Sequence, residues 1–77
     1  VGITEDIADG LAKDAIEAAD RLGDDSVIDE VSRTLANTSQ TTQEAFLTAV
    51  RVRLAERRAR GVLLSALKDA PEAPKPD

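Results

Sequence analysis

TTQEAFLTAVRVRLAERRARGVLLSALKDA, residues 41–70, is the stretch on which the fold turns. Thr41 and Glu44 form an S/T-x-x-E pair ahead of Phe46 and Leu47, which predicts a helix beginning near residue 41. From there Phe46, Leu47, Val50 and Leu54 make one apolar stripe at about 100° per residue, continued by Gly61 and Leu64 and interrupted by Arg57. Gly61 can be read in two ways. It is either a stop after Arg57, Arg58 and Arg60, whose charges suit a helix C-terminus, or a tolerated glycine inside one long helix. The first reading gives helices over about 41–60 and 62–70; the second makes the two continuous. Pro71 ends the pattern in both cases.

Upstream, Ile7, Leu11, Ala15, Ala18 and Leu22 recur at helical spacing, with Ala8, Ala12 and Ala19 widening the stripe, and Gly23 follows as a stop signal. This predicts a first helix over 4–22. Asp24, Asp25 and Ser26 offer N-caps for a second helix over 26–37 that presents Ile28, Val31 and Leu35, with Ser26 and Asp29 approximating a capping box. Asn37-Thr38-Ser39-Gln40 is a polar connector. No strand-like alternation appears. The chain therefore reads as all-α: a small bundle of three helices, or four if Gly61 breaks the last, forming one domain over 1–70 with a flexible Pro-rich tail at 71–77.

The core available to such a bundle is small. Of the apolar residues thirteen are alanine and nineteen are larger, Phe46 being the single aromatic and the expected core anchor. Domains of this size usually lean on disulfides, a metal or a partner chain. With no Cys and no His, disulfides and ordinary zinc sites are excluded, and so are Ser-His-Asp and Cys-His catalysis within the chain. The four glycines stand isolated and form no phosphate-binding loop. The carboxylates at Asp20, Asp24, Asp25 and Asp29 lack calcium-loop spacing. No enzyme activity, metal or cofactor is expected. The longest run of large apolar residues, Val62-Leu63-Leu64, is far too short to span a bilayer. The absence of cysteine suits a reducing, cytoplasmic setting.

What remains is a partner chain. We expect a homodimer in which the third helix completes a shared bundle through Phe46, Leu47, Val50, Leu54, Leu63, Leu64 and Leu67, and a function as a protein-protein interaction or oligomerisation module. Arg57 lies along the same stripe. It either snorkels over the core edge or makes a buried ion pair with an acid of the first helix, such as Asp14 or Glu17.

RVRLAERRAR, residues 51–60, holds five of the ten basic residues of a chain whose net charge is −5. Residues 1–31 carry ten acids and two bases, a net −8, while 32–70 carry seven bases and three acids, a net +4. Complementary packing of the first and third helices, in one chain or across a dimer, is the plainest use of that asymmetry. An acidic protein partner is a second. The third is a nucleic-acid or other polyanion site made by Arg51, Arg53, Arg57, Arg58 and Arg60, against which stand the low pI and the lack of aromatic platforms.

DRLGDDSVIDEVSRTL, residues 20–35, resembles the region around the modified serine of acyl carrier proteins, acidic chains of similar size with Asp-Ser-Leu at the start of the second helix. Asp25-Ser26 matches and Val27 stands where the family has Leu. The family's long loop before the serine is missing, and the basic third helix is foreign to its acidic surface. The resemblance implies a carrier function with phosphopantetheine on Ser26; the residues alone make Ser26 a helix cap.

Overall fold

The structure, a computed structural model, describes residues 2–70. Three helices follow one another: α1 (Ile3–Leu22), α2 (Ser26–Thr38) and α3 (Gln40–Asp69). No strand occurs among the described residues. The tail at 71–77 lies outside them.

Both turns are built from local chemistry. Gly23 adopts φ 65°, the left-handed conformation that only glycine reaches without strain, and the backbone N–H groups of Gly23 and Asp24 both donate to the Ala19 carbonyl. The Asp24 carboxylate then accepts from the Ser26 backbone N–H at 3.0 Å and from its hydroxyl at 2.9 Å. Those two bonds, the backbone one first, hold the Asp24 carboxyl below the usual carboxylate range. The predicted capping box of Ser26 with Asp29 is not the device used: Ser26 is already helical, and Asp24 satisfies its N–H.

The second turn is a single residue. Ser39, extended at φ −157° and ψ 102°, donates its N–H to the Leu35 carbonyl and accepts from the Thr42 N–H with its hydroxyl at 3.2 Å. The third helix thus starts at Gln40, capped by Ser39 rather than by Thr41. Ser39 won because its hydroxyl sits three residues before Thr42 while its own backbone is extended, the conformation an N-cap needs.

Of the two readings of Gly61, the structure has the continuous helix. A stop would need positive φ at Gly61, and Gly23 is the one positive-φ residue among those described. An interior glycine costs about 1 kcal/mol relative to alanine. Arg60, donating to Glu56 one turn back, reinforces the helix immediately before it.

The core lies between α1 and α3, with α2 closing one side. From α1 come Ala8, Ala12, Ala15, Ile16 and Ala19; from α3 come Phe46, fully buried, and Val50. Leu11, Ile28, Val31, Leu35, Leu47 and Leu54 pack partly buried around them. One polar bond joins α2 to α3 in this region, Gln43 Nε2 donating to the hydroxyl of buried Ser32 at 3.2 Å.

The buried face of α1 differs from the expected stripe. Ile7 and Leu22 are 52% and 67% exposed, and the face is centred on the alanines instead. Small side chains let α3 approach closely and leave space for the Phe46 ring, so the one ring of α3 is met by alanines of α1. Packing volume, not side-chain hydrophobicity, turned the helix.

Candidate interaction surface

α1 and α3 meet with opposite charge on their outer edges, and the arginine cluster is where they join. Arg53 donates from Nε and a terminal nitrogen to both carboxylate oxygens of Asp9, at 2.6 and 2.8 Å. Arg57 grips Asp20 in the same two-pronged way, at 3.3 and 2.9 Å. Arg60 turns back to Glu56 on its own helix at 2.9 Å. Two-pronged pairing is the geometry that a planar guanidinium and a carboxylate favour. The hydrogen bond from Arg53, and then its charge, hold the Asp9 carboxyl below the usual range, while Asp9 raises Arg53. Because the folded-state pKa of Asp9 is depressed, the pair's contribution is full above the ordinary carboxylate range and fades as pH falls through the lowered value.

This arrangement changes the reading of the cluster. Arg53, Arg57 and Arg60 each hold an acid of their own chain, and of the five candidate polyanion ligands only Arg51 and Arg58 are without an ion pair among the described residues. A phosphate would have to displace carboxylates at three of the five. Arg57 also departs from expectation. Its partner is Asp20, not Asp14 or Glu17, and the pair is exposed, with side-chain exposures of 54% and 58%. Asp20 stands near the end of α1, where that helix passes the Arg57 turn of α3. An exposed pair contributes about 0–1 kcal/mol. Arg57→Leu is therefore expected to shift stability by no more than about 1 kcal/mol in urea denaturation, and a loss of several kcal/mol would mark the pair as structurally essential.

An open groove of about 430 Å³ lies beside this pair, bounded by Asp20, Asp25 and Asp29 on the α1 and α2 side and by Arg57 and Arg58 on α3. Its charges are mixed, three carboxylates facing two guanidinium groups. Ser26 lies outside its lining, bound to Asp24. Among the described residues no three His, Cys, Asp or Glu side chains are gathered to hold a metal ion. No described helix is long and apolar enough to cross a membrane.

The residues expected to form a dimer face fall into two sets. Phe46 and Val50 are buried inside their own chain, and Leu47 and Leu54 are partly buried against the same core, so Phe46 and Val50 have no surface left for a second copy. Within the chain itself, α1 and α2 pack against the Phe46–Val50 part of the stripe that the expected shared bundle assigned to a partner. Leu63, Leu64 and Leu67 are 59%, 62% and 73% exposed. Every residue of α3 from Ala55 onward is exposed, because α1 ends at Leu22 beside the Arg57–Arg58 turn and, among the described residues, no element packs beyond it. Val62, also exposed, belongs to this surface, and Val52, exposed earlier on the helix beside Thr4 and Glu5 of α1, leads up to it; neither was among the expected interface residues. Their signal was present as a second apolar stripe, Val52, Ala55, Ala59, Val62 and Ala66, at helical spacing on the side of α3 away from Phe46. No protein family, curated protein or solved structure matches the chain.

Proposed function

We propose that the chain is a non-enzymatic association module, a compact three-helix body that presents the projecting half of α3 as its binding arm. The observation that carries this reading is the exposure of Val62, Leu63, Leu64 and Leu67 within six positions of one helix that no other described element covers. Large apolar residues scattered singly on a surface need no explanation, but four bunched on one uncovered segment, with Leu63 and Leu67 on a shared side, mark an interaction site. Helix stability supports the same reading. Most helical stability in proteins comes from packing of an apolar face, and a segment of about twelve residues without such packing is marginal in water. A partner supplies the missing packing.

The test is the absolute mass of the protein by light scattering over a concentration series, at low and high salt, for the wild type and for Leu63→Gln with Leu67→Gln. Concentration-dependent association in the wild type that persists at high salt and is lost in the double variant is the expected result. A constant monomer mass, or association indifferent to the two leucines, would remove the arm from the function. The two substitutions lie outside the folded core, so at concentrations where the wild type is also monomeric the variant's helical signal and unfolding transition should stay close to those of the wild type.

A further inference from the structure

The charges along the arm indicate what it binds. On a helix advancing about 100° per residue, Ala59, Val62, Leu63, Ala66 and Leu67 fall within an arc of about 140°. Arg58 and Asp69 lie together on the margin of that arc next to Val62, about three turns apart along the axis. Arg60 occupies the opposite margin, next to Leu67. Neither Arg58 nor Asp69 forms an ion pair with any described residue. An apolar face bordered on one side by a base at its start and an acid at its end is complementary to itself when one of two copies is reversed.

We propose that the arm's occupant is the arm of a second copy of this chain, packed antiparallel about a two-fold axis near Leu63. Antiparallel helices related in this way set like margins against one another. Arg58 then meets the partner's Asp69, and Asp69 meets the partner's Arg58, while Leu63 packs near the axis and the alanines at 59 and 66 allow close approach. Two ion pairs arise from one contact, as an isologous interface requires. A parallel pair does the reverse. It turns the Arg58 margin toward the margin of Arg60, whose neighbouring acid Glu56 is already bound by Arg60, and it leaves Asp69 facing no base among the described residues. The alignment of helix dipoles also favours the antiparallel pair.

The overlap is about twelve residues, or roughly 18 Å of helix, and covers less than the roughly 800 Å² per partner of a standard interface. The dimer is consequently expected to be reversible, with a micromolar rather than nanomolar dissociation constant. The proposal rests on the reading of the arm as an association surface.

The experiment is a charge exchange read by sedimentation equilibrium at low salt, comparing wild type, Arg58→Glu, Asp69→Arg and the double variant. Each single change converts two attractive contacts into repulsive ones and is expected to weaken dimerisation by about fivefold to tenfold. The double variant restores opposite charges and should recover most of the loss. Both positions are exposed, and because Arg58 also borders the groove carrying Asp25 and Asp29, the unfolding transition of each variant is measured alongside its mass to separate lost folding from lost association. Association that depends on Leu63 and Leu67 but ignores the charge exchange, or that tightens in the single variants, overturns the antiparallel second copy and leaves the association arm standing. A wild type that stays monomeric at every concentration overturns both.

Discussion

Phe46→Ala is expected to cost about 3–5 kcal/mol of folding stability, as large-to-small aromatic substitutions in a packed core do. Phe46 is fully buried and, among the described residues, is the only large side chain in that state. It stands on α3 against Ala8, Ala12, Ala15 and Ile16 of α1. Removing the ring leaves a space bordered by alanines, whose short side chains cannot swing in to refill it. The loss therefore falls toward the upper part of the range, since the cost grows with the cavity that remains. At about 0.05–0.15 kcal/mol per residue, a folded body of this size has little more stability than that to lose. Urea denaturation followed by circular dichroism should show the midpoint of Phe46→Ala collapsing toward zero denaturant, with Phe46→Leu intermediate. A midpoint close to the wild type would show that the ring is not the centre of the core.

Phe46 was legible because its place in the third helix is fixed by a short range of sequence: one turn beyond a cap, on a stripe with Val50 and Leu54. The three helices were legible for the same reason, each being a local pattern of period 3.6 with a punctuating residue at its end. What sequence reading missed depends on contacts between elements. Nothing near Arg57 shows that Asp20, rather than Asp14 or Glu17, is within reach, because that choice follows from where α1 ends along α3. The cap at Ser39 went to a residue two positions earlier than the S/T-x-x-E signature indicated, since backbone conformation decides between neighbouring hydroxyls. Gly61 was undecidable locally: a glycine at a helix end and one in its interior are flanked by the same residues, and what separates them is the backbone conformation, which at Gly61 lacks the positive φ of a stop. The arm's second stripe was present in the sequence but overshadowed by the Phe46 stripe, which carries the larger residues.

The rotation of α1 gives the sharpest separation between the two ways of choosing its face. Hydrophobicity alone selects Ile7, Leu11 and Leu22, whereas the structure buries Ile16, 6% exposed, and leaves Ile7 52% exposed. Ile16 borders Val50 in the same cluster, so its truncation opens a cavity between α1 and α3. Ile16→Ala is expected to cost about 2–5 kcal/mol, in the range for buried isoleucine. Ile7→Ala removes the same atoms from a largely solvated position, where surface substitutions stay within about 0.5 kcal/mol, and it also replaces a β-branched residue with the best helix former, which offsets part of any loss. Chemistry and helix are identical in the two variants, so denatured-state effects largely cancel and their difference reports burial. Measured by urea denaturation with a common slope, the two midpoints should lie far apart, Ile16→Ala well below and Ile7→Ala near the wild type. Equal losses would mean that α1 is turned toward the Ile7 face. The alanine cradle around Phe46 would then be wrong as well, because Ala8, Ala12 and Ala19 cannot face α3 when Ile7 and Leu22 do so fully.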